Sequence, residues 1–481
     1  MIGKYFDIYL LCFIALSCFS VFSLNRLLKL NSENGLCNHK EYDYKGFLYI
    51  LIAFILICFY STYIAMIPLW EDFTYQDSNI FWRTLKDGHQ HYGKPIWYNS
   101  GRFFPLGHQE FEVISKVSAS NFAYHLFAIF EMVAIFFISL KMFGKKTGIV
   151  FFVLLTITGA FVQSFFGLIY PERNMALLLM LSFLFLNFAI ESKNIFNLTV
   201  AIIFFSLFLF YKETAFLITL GISASLMLSY LLNKDNKIKM AASISLAFIS
   251  VLWVASYSID IYPAIEKAYG NPNRDFPRAL ISLINSPWLY TSLISFFLFL
   301  FKQRNSPYIL LPIVSIGYSF TMYYMNFPMP YYHLPSVLIS IFCIFTNAVN
   351  FNNKVSWFII FLLTVYTILT SSSSIDIIKD RKESVFAKSD ALEFIFKNNH
   401  LDGNKNIKVS FNNIDPWTVH ILSGSFTNKY KVDMKGKVGG DCKDVNYAIY
   451  FQKKPEAKDF YTSESVPMWN SKYKLYVVKC K

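Results

Sequence analysis

The feature that most constrains the fold of this chain is its series of long apolar runs. Each run holds about 17 to 22 residues, the length of helix that crosses a hydrocarbon core roughly 30 Å thick. Backbone polar groups find no water there, so such runs are expected to be helical, and they lack the alternation of a membrane β-barrel. The sequence predicts twelve spans: 6–28, 46–68, 121–140, 148–168, 174–190, 195–211, 214–232, 240–257, 285–301, 307–324, 332–348 and 355–372.

The distribution of basic residues predicts the orientation of these spans. Of the 481 residues only 16% are charged, and the formal net charge of +13 includes short Lys-rich loops at 141–146 and 234–239. Such loops face the cytoplasm. The loops 69–120 and 258–284 and the chain beyond 373 then lie on the extracytoplasmic side. Lysine and arginine in the cytoplasmic loops fix the orientation and contact anionic lipid headgroups, which explains much of the positive net charge. We therefore expect membrane lipids, and no nucleic acid, as partners.

The chain is predicted to have three regions. Residues 1–45 form one helix and a cytoplasmic loop, 46–375 form a multi-pass membrane core, and 376–481 form a water-compatible tail. Alternating or Val-, Tyr- and Ile-rich segments in the tail are typical of strands, and an amphipathic stretch there is typical of a helix. We therefore predict a small extracytoplasmic α/β domain, with strands at 406–411, 446–451 and 472–479 and a helix at 391–397.

The tail also holds two of the seven cysteines, Cys442 and Cys480. The extracytoplasmic compartment is oxidising, so a disulfide between them fits that location. The sequence leaves the alternative of two free thiols open. No pair of cysteines has the spacing of a zinc site.

The long loop 69–120 opens with acidic residues. Glu71 and Asp72 stand between two aromatic residues, and Asp77 follows. A solvated helix end is one interpretation of these carboxylates. The other is a catalytic carboxylate whose apolar neighbours raise its pKa and make it a stronger base. Later in the same loop, Arg102 either extends toward lipid headgroups or binds a phosphate.

Three short turns between later spans carry the remaining candidates. The adjacent Glu172 and Arg173 either cap a helix or present a guanidinium to a phosphate, which its planar fork suits. Lys212 and Glu213 follow one another in the next turn. A lysine and a glutamate at a hydrocarbon edge usually face protein or a cavity, which favours a functional role for this pair. A lone histidine at a helix start is more often structural. These candidates are Glu172, Arg173, Lys212, Glu213, Tyr331 and His333.

The acidic motif opening a long loop, the Lys212-Glu213 dipeptide between later spans and the C-terminal domain resemble the GT-C glycosyltransferase superfamily. Its members include protein O-mannosyltransferases, aminoarabinose transferases of lipid A and serotype-converting glucosyltransferases of O-antigen. The resemblance covers roughly 46–375 and implies a GT-C-like fold and a polyprenyl-phosphate-linked sugar donor. It also implies that Asp72 is catalytic, with Glu71 beside it, and that Lys212 belongs to the donor site. The extra N-terminal span departs from the family pattern.

Glycosyl transfer from a phosphate needs a carboxylate for the incoming hydroxyl and cations for the departing phosphate. We therefore expect Asp72 in the first role, and Arg173, Lys212 and Arg102 in the second. The expected acceptor is a cell-surface glycan, such as the O-antigen of lipopolysaccharide, or a lipid-linked glycan, at the bacterial inner membrane. The sequence assigns no definite cofactor, and a divalent cation bound by Asp72 and Asp77 is left open.

Two other functions are compatible with this layout. An O-antigen polymerase also has about a dozen spans and a large extracytoplasmic loop, but such loops are typically rich in arginine. A flippase of lipid-linked sugars predicts internal repeats and charged residues at mid-membrane. The sequence has no visible repeat, and Glu131, in the third predicted span, is the exception to the clustering of ionisable residues at one face.

Overall fold

The computed structural model describes the helical core and most of a C-terminal sheet. The described ranges are 96–97, 102–107, 109–110, 113–114, 121–166, 170–234, 236–264, 275–302, 306–349, 390–399, 406–413, 432–440, 444–451, 461–464 and 474–480, with isolated residues elsewhere. The predicted spans 6–28, 46–68 and 355–372 lie outside these ranges, apart from isolated residues. The chain divides into two compact units. One contains Met1–Thr62, Tyr92–Glu110 and His125–Ser372, and the other contains Tyr63–His91, Phe111–Tyr124 and Ser373–Lys481.

The first unit, the helical unit, is built from helices with a short hairpin before them. The hairpin pairs β1 (Ile96–Trp97) with β2 (Arg102–Phe103) in antiparallel register. The helices are α1 (Asn121–Phe143), α2 (Lys145–Thr156), α3 (Gly159–Phe166), α4 (Glu172–Ser192), α5 (Ile195–Leu209), α6 (Ala215–Asn233), α7 (Lys237–Asp260), α8 (Phe276–Ile284), α9 (Pro287–Lys302), α10 (Leu311–Tyr324) and α11 (Leu334–Val349).

Side chains at the ends of the apolar runs determine where several helices begin. Asn194 precedes α5 and its side chain accepts a hydrogen bond from the Phe196 amide at 2.8 Å. Asn236 caps α7 in the same way through the Ile238 amide at 3.0 Å. These caps satisfy amides that have no partner inside the first helical turn.

Within the described residues, four helices are long and apolar enough to cross a membrane: α1, α4, α6 and α7, through Leu126–Phe143, Glu172–Ser192, Ala215–Asn233 and Lys237–Ile259. The number rises to six if two bent pairs each form one span. The predicted span 148–168 is two helices, α2 and α3, bent by 75°, and the predicted loop 258–284 contains α8, bent by 71° from α9. The predicted total of twelve spans stays a prediction.

A chain of serine hydroxyls joins three helices in the interior of the helical unit. Ser292 on α9 and Ser315 on α10 each approach Ser340 on α11, with Oγ–Oγ distances of 2.6 and 2.7 Å. Ser319 and Ser336 continue the chain at 2.7 Å. All five side chains are buried. Hydrogen bonds of this kind hold helices together where packing alone gives little specificity.

The second unit contains a five-stranded sheet. Its strands are β3 (Asn406–Asn412), β4 (Asp433–Val438), β5 (Tyr447–Phe451), β6 (Tyr461–Glu464) and β7 (Lys474–Lys479). They lie in the order β4-β3-β5-β7-β6, with β4, β3 and β5 parallel and β7 antiparallel to both β5 and β6. The strands predicted at 406–411, 446–451 and 472–479 are confirmed as β3, β5 and β7.

Apolar side chains from one face of this sheet pack against helical residues. Ile395, on the helix at 390–399, is buried with Val409 of β3 and Ile449 of β5. A disulfide joins Cys442 to Cys480, just after β7. The small α/β domain predicted for the tail is therefore present, together with the cysteine pairing that the sequence had left open.

Candidate functional site

The first residues of α4 supply two adjacent charged side chains to the interior of the helical unit. Pro171 precedes the helix, and Glu172 and Arg173 are its first two residues. Both side chains are fully buried. A carboxylate in the first turn is favoured by the positive end of the helix dipole. The polar turn that the sequence predicted at this position is therefore a buried ionic site.

Lys212 lies in the short connection between α5 and α6 and reaches the start of α4. Its ammonium donates a hydrogen bond to Oε1 of Glu172. The same nitrogen lies 4.0 Å from the centroid of the Tyr332 ring, in a cation–π contact. Only 5% of the Lys212 surface is exposed. Because two groups hold this ammonium, its position is well defined in a site that is largely shielded from solvent.

Arg173 joins two carboxylates from distant parts of the sequence. Its Nε donates to Oε2 of Glu131 on α1. Its Nη2 donates to Oε1 of Glu110 at 3.2 Å. The same oxygen accepts from Nδ2 of the Asn174 side chain at 2.7 Å. The planar fork of arginine suits two acceptors at once. Glu131, the exception within a predicted span, is therefore accounted for by an ion pair.

A cluster of aromatic rings adjoins Tyr332, the ring that contacts the ammonium of Lys212. The turn Pro330–His333 precedes α11 and places three consecutive aromatic side chains in the site. Tyr331 stacks on Tyr170 with ring centroids 3.8 Å apart, and Tyr332 lies 4.2 Å from Tyr331. His333 packs on the Tyr323 ring at 4.3 Å. Three turns predicted to lie on one side of the membrane thus meet in space.

Glu213 follows Lys212 in sequence but contacts a different part of the chain. Its Oε1 accepts a hydrogen bond from the Phe103 backbone amide, at 3.0 Å, in strand β2. Arg102, the preceding residue, is paired with Trp97 across the hairpin. The side chain of Arg102 lies outside the described part of the structure, as do Glu71, Asp72 and Asp77. The predicted catalytic pair therefore stays a prediction.

The described charges in this site do not balance. Glu110, Glu131 and Glu172 supply three carboxylates to two cations, Arg173 and Lys212. Burial is the largest influence on Glu110 and raises its pKa, against the lowering effect of Arg173. The second oxygens of Glu110 and Glu172 are buried and have no hydrogen-bond partner among the described residues. The site thus contains spare acceptors as well as its two cations.

Sequence reasoning missed Glu110 and Asn174 as parts of this site. Glu110 lies 63 residues from Arg173, and no local pattern marks it as a partner of that residue. Asn174 was visible in the sequence only as a neighbour of the charged pair. Among the described residues, no group of three or more His, Cys, Asp or Glu side chains could hold a metal ion.

The whole fold is similar to that of solved structures. A crystal structure of ArnT from Cupriavidus metallidurans bound to undecaprenyl phosphate matches with a TM-score of 0.52. The fold is similar to that of ArnT. The match covers 89% of this chain and 97% of that chain at 10% sequence identity. No family model matches this sequence, and no curated protein matches it.

The likeness to ArnT confirms the predicted architecture, an α-helical multi-pass membrane protein with an ArnT-like fold. At 10% identity the likeness shows the fold alone. The chemistry of this chain therefore depends on its own residues. Among the described residues, the ionic site at the start of α4 brings together the buried charges that such chemistry would use.

Proposed function

We propose that this protein is a glycosyltransferase that moves a sugar from a polyprenyl-phosphate carrier to a glycan or lipid-linked acceptor. Transfer takes place on the extracytoplasmic side of the bacterial inner membrane. The observation that carries the proposal is a fold similar to that of ArnT over 89% of the chain, which contains two buried cations, Lys212 and Arg173. The solved ArnT structure holds undecaprenyl phosphate, a carrier of the proposed class.

The reaction we propose is a single inverting displacement. The acceptor hydroxyl oxygen attacks the anomeric carbon, and its proton passes to the carboxylate of Asp72, with Glu71 beside it. The bond from that carbon to the phosphate oxygen breaks, and its electron pair stays on the phosphate. Negative charge therefore grows on the leaving group, where fixed cations lower the barrier. Lys212, Arg173 and Arg102 are the proposed source of that positive charge.

Lys212 is the strongest candidate for the phosphate contact. Its ion pair with Glu172 and its contact with Tyr332 fix a buried cation, and electrostatic interactions are strong where solvent is excluded. The buried second oxygens of Glu172 and Glu110 are acceptors that sugar hydroxyls would satisfy. In this arrangement Tyr331 and His333 contribute the wall of the donor site.

The proposal is tested by surface-glycan analysis of cells expressing wild type, Asp72→Asn or Lys212→Ala at matched membrane levels. Lys193→Ala is a matched control, since Lys193 lies at the opposite end of α4 from Glu172. We expect the wild type and the control to add a sugar and both site variants to lose it. Loss in the control as well, or retention in both site variants, would contradict the proposed site.

The same cells separate the alternative functions. A change in glycan chain length without a change in composition would indicate a polymerase of O-antigen or another polysaccharide. Altered movement of lipid-linked sugar across the membrane would indicate a flippase. Treatment of membranes with a chelator, followed by addition of Mg²⁺ or Mn²⁺, tests the proposed divalent cation on Asp72 and Asp77. A metal-independent enzyme would keep its activity throughout.

A further inference from the structure

We infer that Glu213 is a positioning residue, which holds residues 103–107 of the long loop 69–120 beside Lys212. The inference concerns the described residues 103–107, 109 and 110, here called the anchor segment. It rests on the proposed function, because the residues we propose as catalytic lie earlier in the same loop. In the Lys212-Glu213 dipeptide, Lys212 would then bind the donor phosphate and Glu213 would hold the anchor segment.

The first contact of the anchor segment is with the connection that holds Lys212. Oε1 of Glu213 accepts from the Phe103 amide at 3.0 Å, and the Leu106 amide donates to the Phe210 carbonyl at 3.1 Å. Two backbone amides of the loop are therefore bound by a connection only a few residues long. The bond to Glu213 is charge-assisted, which makes it the stronger kind.

Aromatic packing supports the same contact. The Phe103 side chain is fully buried, and its ring lies 6.0 Å from Phe210, 5.7 Å from Trp253 and 6.3 Å from Tyr257, between ring centroids. Burying an aromatic side chain of this size stabilises the docked segment. The hydrogen bond to Glu213 selects the backbone position at which that ring docks.

The far end of the anchor segment is bound to the ionic site. Glu110 accepts from Arg173 at 3.2 Å and from Asn174 at 2.7 Å. Between the two ends, the Gly107 amide donates to the Phe104 carbonyl at 2.8 Å. A Cβ on Gly107 would lie 2.6 Å from a carbon of the Phe104 ring, so this turn requires glycine. The segment is a preformed turn held at both ends.

The consequence for catalysis is geometric. Lys212 and Glu213 are adjacent, so one short connection joins the anchor segment to the backbone that carries the ammonium. Misplacing a reacting group by about 1 Å can cost roughly 100-fold in rate. We therefore expect loss of the Glu213 contact to slow sugar transfer while the affinity for the carrier phosphate stays the same.

The physical test is amide hydrogen exchange of the full-length protein in detergent micelles. We expect Glu213→Ala and Glu213→Asp to speed exchange in the peptide covering 103–107 by about 10-fold or more, since each loses a charge-assisted hydrogen bond. Glu213→Gln keeps an acceptor oxygen of the same reach and should restore most of the protection. Glu191→Ala, an exposed residue at the other end of α4, should leave the exchange unchanged.

The functional test compares sugar transfer in cells with binding of undecaprenyl phosphate to the purified variants. We expect Glu213→Ala to lower transfer at least about 10-fold with carrier affinity within about 2-fold of wild type, and Glu213→Gln to regain most of the rate. Unchanged exchange in both Ala and Asp variants overturns the inference. So does faster exchange with an unchanged transfer rate. A wild type without transfer would overturn the proposed function, and the exchange data would then decide the anchoring by themselves.

Discussion

Replacing Arg173 with methionine is the sharpest test of the buried ionic site. Arg173 is fully buried, and its two partners, Glu131 and Glu110, have side chains only 3% and 6% exposed. Methionine has a similar volume and no charge, so it leaves two buried carboxylates without their shared cation. Removing one partner of a buried pair costs about 3 to 5 kcal/mol. Because one arginine serves two carboxylates, we expect a loss near the upper end, about 5 kcal/mol.

The loss is measured as the change in unfolding free energy of the detergent-solubilised protein, followed by tryptophan fluorescence. Arg278→Met is the matched control, because Arg278 is exposed on α8, and it should change stability by less than about 0.5 kcal/mol. Adding Glu131→Gln to Arg173→Met should recover part of the loss, since it removes one uncompensated charge. A loss in Arg173→Met of no more than roughly 1 kcal/mol, the value of an exposed pair, would refute the reasoning.

Three further outcomes are expected. Cys442→Ser should destabilise the C-terminal unit by about 4 kcal/mol, because it opens a loop that the disulfide with Cys480 closes over a sequence separation of 38. Reductant should destabilise the wild type and have no added effect on this variant. Gly221→Ala should cost about 1 to 3 kcal/mol, because the new Cβ would lie 2.3 Å from Cγ2 of Val314, and Val314→Ala should recover part of it. Burial raises the Glu110 pKa above 4.5, so its contribution to stability is full below that value and is lost as pH rises. When the pH is raised from about 5 to about 8, the melting temperature of Glu110→Gln should therefore fall less than that of the wild type.

Hydropathy located most described helices well but could not show where a run is broken. The runs predicted at 174–190 and 214–232 became α4 and α6, which begin and end within two residues of those bounds. The run at 148–168 stays apolar through a break at Thr158. There the threonine hydroxyl accepts from the Phe161 amide at 3.2 Å and donates to the Leu155 carbonyl at 2.8 Å, which starts a new helix. A threonine and a glycine change the backbone direction without lowering the hydropathy.

The site was predictable in its parts and not in its connections. The predicted topology placed the turns at Glu172, Lys212 and Tyr331 on one side of the membrane, which allowed them to meet but did not require it. Which charge pairs with which depends on contacts between residues 40 to 63 positions apart, and a single sequence does not reveal them. One signal was available for Glu131. A carboxylate within an apolar span needs a partner, and Arg173 was a candidate.

The serine chain across α9, α10 and α11 restricts how this protein can change over evolutionary time. Ser340 contacts both Ser292 and Ser315, so each hydroxyl contributes to the satisfaction of its neighbours. Replacing Ser336 with alanine removes the partner of the buried Ser319 hydroxyl, whereas replacing both serines together is nearly neutral. At this pair a single substitution therefore destabilises the protein more than the double substitution does. We expect positions 319 and 336 to vary together among relatives of this chain, so that the residue at one predicts the residue at the other.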